Sequence, residues 1–267
     1  MKSRPRASRL AHPSVLAAVL VLTLAGSATA AFNLVSVDQE WAMRDDMRQQ
    51  VSSEMRVVND PEAIAYLNRI GRRIADQTPY GNRRWDFGIV QDSSLNAFNL
   101  PGGLVYVNTG LIAEADSLDQ LAGVLAHEIG HGAERHGTQL MTRAYGYNLI
   151  AGLALGRNPS MTKQILGQLV GTGVINSYSR GAENEADRLG VHYAYQAGYD
   201  PRGMIQFFET MERLQSRRSG KVAEFFSNHP STNDRLERIS REAQTLSRRA
   251  SLVHDTRDYQ RFRSRFR

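Results

Sequence analysis

The spacing of apolar residues changes character along the chain, and each change predicts a different element. Residues 15–25, VLAAVLVLTLA, are apolar apart from Thr23. Residues 38–58, DQEWAMRDDMRQQVSSEMRVV, read as one helix with a broad polar face. A second helix is predicted from Pro61 to about Ala75: Ile64, Leu67, Ile70 and Ile74 share a face, Asp60 is placed as its N-cap, and TPYG at 78–81 ends it. Between 85 and 112 the helical spacing gives way to alternating and β-branched residues around Pro101-Gly102-Gly103, which predicts short strands, Leu104 to Asn108 the clearest. Helical spacing returns after about residue 117. Ser117 and Gln120 form a capping-box pattern, Leu118, Leu121, Leu125 and Ile129 carry the helix through His131 to about Arg135, and Gly137 is placed to stop it. Helices, a small sheet and more helices predict an α+β fold, mostly helical, rather than a βαβ repeat.

Residues 144–175 contain LIAGLALG and ILGQLVGTGVI, divided by Arg157, Asn158, Pro159 and Lys163. No apolar run there reaches the roughly 20 residues that span a bilayer. The plain expectation is a hairpin of core helices; a membrane-facing or mobile flap over a site is the other.

The N-terminus is read separately. Lys2, Arg4, Arg6 and Arg9 precede the apolar run, and ATA closes at Ala30, which is the pattern of a secretory signal cut after that residue. An uncleaved anchor is the alternative, although the run is short for one. The expected organisation is therefore a signal peptide at 1–30, one domain at 31–247 and a basic C-terminal tail at 248–267. The formal net charge of +6 falls to +2 once the four basic residues of the signal are set aside, which argues against nucleic acid as a partner. The tail, HDTRDYQRFRSRFR, interleaves five arginines with Tyr259, Phe262 and Phe266. It reads as a solvated or partly disordered end, with contact to anionic lipid or a partner protein as the alternative. The chain has no cysteine, so any metal site must be built from histidines and carboxylates.

Such residues occur at 123–137, GVLAHEIGHGAERHG. On a helix, His127 and His131 lie one turn apart and about 40° around the axis, so both imidazoles can reach one ion. Glu128 is rotated by about 100°, beside the ion rather than on it, where it can take the proton of a water attacking a carbonyl. A catalytic zinc usually has a third protein ligand. The metzincin position for one is Gly137, and Glu134 stands where that pattern needs glycine; His136 is one residue out of register and reads as a surface or helix-end histidine. RGAENEADRLGVHYA at 180–194 is the better source, because Glu183, Asp187, Gly190 and Ala194 recur at intervals of 4, 3 and 4 and share one helical face. Glu183 is the expected third ligand of a single Zn2+, Asp187 is placed to hold the far nitrogen of a ligating histidine, and Glu185 reads as surface.

HEIGH followed by ENEAD, preceded by NAFNLPGGLVYVNTGLI and followed by HPSTNDR, resembles the HtpX, BepA, LoiP and CAAX-prenyl-protease family of gluzincin zinc metallopeptidases, over about residues 40 to 240. The resemblance implies a zincin-like domain whose zinc is held by His127, His131 and Glu183, with Glu128 as general base and Asp187 behind the ligands. It also places His229 near the metal, stabilising an oxyanion or filling the open position at rest, and gives Arg235 the task of orienting groups at the site. By the same analogy Asn96, Ala97 and Phe98 begin an exposed edge strand that pairs with an extended substrate. The chain carries neither the several membrane helices of the HtpX and prenyl-protease branches nor the tetratricopeptide region of BepA, so membrane-embedded cleavage and a BepA-like partner are not expected. The expected activity is zinc-dependent endopeptidase cleavage of misfolded or unassembled envelope proteins by an exported, periplasmic protein, with peripheral contact to the membrane or to outer-membrane proteins. The alternatives are a zinc-binding chaperone or scaffold that does not cut, and a polybasic envelope-binding module with a chance HExxH.

Overall fold

The computed structural model describes residues 33–146, 167, 178–215, 222, 227, 229, 233–247, 249 and 251–267. The expected signal peptide and nearly all of the expected 144–175 hairpin lie outside them. The described elements, in chain order, are α1 (Val37–Ala42), α2 (Arg44–Glu54), α3 (Pro61–Ala75), β1 (Asp86–Val90), β2 (Ala97–Leu100), β3 (Leu104–Asn108), α4 (Thr109–Glu114), α5 (Leu118–Ala133), α6 (His136–Tyr145), α7 (Arg180–Gln196), α8 (Arg202–Gln215), α9 (Asn233–Thr245) and α10 (Arg257–Ser264). This is the α+β arrangement expected, mostly helical with one small mixed sheet.

The sheet runs β1-β3-β2, with β1 parallel and β2 antiparallel to the central β3. Among the described residues β2 is thus an edge, in register through Ala97 opposite Val107 and Phe98 opposite Tyr106. All four of its residues are buried, so the expected exposed strand is corrected. Ala97 joins the main core, while Phe98 stacks on Tyr106 and packs in a smaller core with Met141 and Tyr178.

Helix α3 forms as expected, with the Asp60 carboxylate accepting from the Glu62 and Ala63 amides, each at 3.1 Å. The single helix expected at 38–58 is instead broken at Met43 and ends at Glu54, and Val57 pairs with Val90 across a short bridge. The capping box expected at Ser117 does not form, because Ser117 Oγ bonds Asp119. The first amides of α5 are satisfied from the far end of the chain: Asp119 N–H donates to the His254 carbonyl at 3.0 Å and Leu118 N–H to the Asp255 carboxylate at 3.2 Å.

The C-terminal segment is likewise no solvated tail. Tyr259 and Phe262 are buried, the Tyr259 hydroxyl donates to the Ala115 carbonyl at 2.7 Å, and Arg263 reaches the Ala113 carbonyl and Asp116. Arg265 pairs with Asp60 and Glu62 at the start of α3.

Helix α5 is buried along its whole length, which sequence composition explains: small and apolar residues surround it on every face. Close approach of α7 depends on two glycines. A methyl on Gly130 would stand 3.0 Å from the Ala186 carbonyl oxygen, and one on Gly190 would stand 3.0 Å from the His127 backbone nitrogen.

Asp86, at the start of β1, ties α2 and α3 to the sheet. Its carboxylate pairs with Arg44, with Arg48 at 2.9 Å, Arg84 at 3.2 Å and Arg72 at 3.3 Å, and the Arg44 side chain is only 6% exposed. Burial alone would raise the Asp86 pKa, but the guanidiniums, Arg44 first, outweigh it and hold the group below its ordinary 3.8. Asp86→Asn strands the buried Arg44 charge and is expected to cost about 3 kcal/mol at neutral pH. A depressed carboxylate stabilises the fold fully above its unfolded pKa and stops doing so as pH falls through the folded value. Urea unfolding of wild type and variant should therefore show a gap at pH 7 that closes as the pH falls below the ordinary carboxylate range, through the depressed folded value.

Candidate active site

Two α5 side chains and one α7 side chain meet as the spacing required. His127 Nε2 and His131 Nε2 are 3.0 Å apart, and Glu183 places one oxygen 3.5 Å from the first and the other 3.4 Å from the second. His229 enters between them, its Nδ1 3.2 Å from His127 Nε2 and 3.2 Å from both Glu183 oxygens. All four are buried, and one donor atom from each lies within 4.8 Å of the others.

The outer side of His127 explains its orientation. Asp187 Oδ1 stands 3.0 Å from His127 Nδ1, so that nitrogen carries the proton and Nε2 turns a lone pair inward. Arg235 clamps Asp187 with bonds of 2.6 and 2.8 Å, reaches Glu183 at 3.0 Å and lies over the Phe208 ring. Arg235 therefore touches the acids of the site and one ligand candidate, in keeping with an orienting task.

Electrostatics divide the carboxylates. Burial would raise Glu183, but His229 and His131 outweigh it and hold it far below the usual carboxylate range. Burial would likewise raise Asp187, and Arg235 with His127 reverses this. Glu128 moves the other way. It is 1% exposed, neither oxygen has a hydrogen-bond partner among the described residues, and burial raises its pKa despite His229 and His127 nearby. His229 Nε2 stands 3.4 Å from Glu128 Oε1. His131 is held neutral by burial, well below its ordinary value, as a metal ligand must be.

The donor set fits zinc. Four donors at about 2.0–2.1 Å from a tetrahedral ion lie about 3.4 Å apart; the pairs other than His131–His229 are 3.0 to 3.5 Å apart here, and all lie within 4.8 Å.

Residues 61–243 match Peptidase family M48. The chain belongs to peptidase family M48. It is 32% identical over 232 residues to the mitochondrial metalloendopeptidase OMA1 of Schizosaccharomyces pombe, covering 84% of this chain and 68% of that protein. It is 29% identical over 247 residues to the beta-barrel assembly-enhancing protease of Escherichia coli K12, and 31% over 230 residues to that of Yersinia pestis, covering 89% and 78% of this chain. The M48 chain spans only 50% and 44% of those two relatives. It is a zinc-dependent metalloendopeptidase by family, and the cluster of His127, His131, Glu183 and His229 can hold one metal ion. Among the described residues, no helix is long and apolar enough to cross a membrane.

The structure brings together every residue expected at the metal, and Asn96, Ala97 and Phe98 lie at or beside the β2 edge. It corrects His136. The helix is interrupted at Arg135, which adopts a left-handed conformation with φ 58°, so Gly137 lies inside α6 instead of ending α5. His136 is 4% exposed, and its Nδ1 is 2.9 Å from His131 Nδ1. Tyr178, which sequence reasoning also passed over, stacks on the His131 ring with centroids 4.0 Å apart. A signal for His136 was present: a helix that is apolar or small on all faces has no solvent side for a histidine just beyond it.

Proposed function

We propose that the mature chain is an exported zinc endopeptidase that cuts misfolded or unassembled proteins of the cell envelope. The observation that carries this reading is the convergence of three imidazoles and Glu183 beside a buried, unbonded Glu128. His127, His131 and Glu183 would hold the zinc, with His229 in the fourth donor position of this arrangement. When bound, zinc supplies Lewis acidity, polarising the scissile carbonyl and acidifying the attacking water. Glu128 accepts that water's proton and delivers it to the leaving amine; its raised pKa suits a group that must both take and give a proton. Asp187 fixes His127 in the tautomer that turns Nε2 inward, and Arg235 keeps Asp187 and Glu183 in place. His229 must step aside to admit substrate, after which its position between Glu128 and Glu183 suits it to stabilise the developing oxyanion.

Export is supported by the signal-like residues 1–30, with the domain running on from there to include the packed C-terminal segment. An envelope substrate is supported by the name of the E. coli relative, which concerns β-barrel assembly.

The test is cleavage by the zinc-loaded chain of a urea-unfolded outer-membrane β-barrel protein and of the same protein folded in detergent. Fragments are expected from the unfolded form alone. Loss of neither form over hours at equimolar enzyme rejects the proposal.

A further inference from the structure

The two HExxH histidines have different outer partners, and only that of His127 has so far been given a task. His131 directs Nε2 toward Glu183 and His127, which leaves Nδ1 facing away from the cluster. What stands there is His136 Nδ1, at 2.9 Å, and on the other side of the His136 ring Nε2 lies 3.4 Å from the Glu185 carboxylate. The break in the helix at Arg135 creates this contact. A helix continued past Ala133 would carry residue 136 some 140° around the axis from residue 131, away from its ring; the left-handed Arg135, held by Glu40 and the Val35 carbonyl, folds it back.

Two nitrogens at this distance share one proton. If His131 gives its Nε2 lone pair to a metal, its Nδ1 must carry hydrogen and donate. His136 Nδ1 must then accept, so His136 carries its own hydrogen on Nε2, the nitrogen aimed at Glu185. Each assignment forces the next, and the group that His136 Nε2 meets, the Glu185 carboxylate, can accept. Tyr178, stacked on His131 and tilted against His136 at 5.8 Å, confines both rings.

We propose that His136 is a positioning residue for the metal, locking His131 in the Nδ1–H tautomer, and that Glu185 locks His136 in turn. The two ligands are thereby treated unequally. His127 leans on a carboxylate neutralised by Arg235, whereas His131 leans on a neutral ring whose far end reaches a side chain that is 45% exposed. The hydrogen-bonded line from His131 to Glu185 runs from the buried cluster to solvent.

This inference rests on His131 being a zinc ligand, and the experiment separates the two claims. Zinc affinity is measured by competition with a chromophoric chelator for wild type, His136→Phe and His136→Asn. The Phe ring fills the space and cannot accept, so affinity should fall at least tenfold. The Asn carbonyl can accept from Nδ1–H and should recover part of the loss. The d–d spectrum of the cobalt-substituted Phe variant should also shift, which a purely space-filling role would not produce. Should the variants fail to fold, long-range proton–nitrogen spectra of the zinc-loaded wild type decide: protonated Nε2 on His136 supports the proposal, and protonated Nδ1 overturns it. A folded His136→Phe protein that binds zinc within a factor of ten of wild type also overturns it. Wild type that takes up no zinc at all rejects the metal reading itself.

Discussion

Glu128→Gln will bind one zinc and cleave nothing measurable. The amide keeps the shape of the side chain but cannot accept a proton, so loss of general acid–base catalysis should lower kcat by roughly a thousandfold or more. Metal content should be unchanged, because Glu128 is not among the four clustered donors. Stability gives a second reading of the same variant. Wild-type Glu128 is buried with both oxygens unbonded, an environment that penalises its charge. A neutral amide removes that penalty, and the metal-free variant should melt no lower than metal-free wild type. Turnover of a quenched fluorescent unfolded substrate, metal analysis and calorimetry check the three statements; retained turnover would exclude Glu128 as the base.

Glu183→Ala should fail differently, by losing the metal. Glu183 alone contributes a negative charge to the four donors, and it comes from a helix separate from α5. Its removal is expected to weaken zinc binding by at least about a hundredfold, with activity lost in proportion. The apo protein suffers as well. Arg235 loses an acidic partner, and His229 loses the carboxylate that most favours its charged form, which is expected to cost about 3 kcal/mol. Equilibrium dialysis against zinc, together with chemical unfolding of the apo proteins, tests both. Zinc binding at wild-type strength in the Ala variant would remove Glu183 from the ligand set.

Much of this site was legible because helical spacing is local. The four-residue spacing of His127 and His131, and the 4-3-4 interval of Glu183, Asp187, Gly190 and Ala194, fix which side chains share a face before anything is known of the fold. That α7 could approach α5 closely followed from small residues, and Gly190 against the His127 backbone is that contact. His229 and Arg235 were reached through resemblance alone, since a histidine in a loop more than 90 residues from the HExxH motif carries no periodic signal.

What escaped is set over long distances. The helix of the motif stops at Ala133 because Arg135 is drawn out by Glu40 and Val35, about a hundred residues earlier, and no local pattern announces that. Ser117 did not cap α5 because His254 and Asp255 do so from the other end of the chain. The arginine-rich terminus looked solvated because its partners, Asp60, Glu62 and Asp116, are remote in sequence.

Helix α5 has no face open to water, and the groups that meet on it are drawn from positions 127, 131, 183 and 229. A zinc finger gathers its ligands within one short stretch and can assemble around the ion. Here no fragment of the chain holds a complete set, so a half-synthesised or half-translocated molecule has no blade. Proteolytic power arrives last, once the protein has itself ceased to be the kind of unfolded chain it is proposed to destroy.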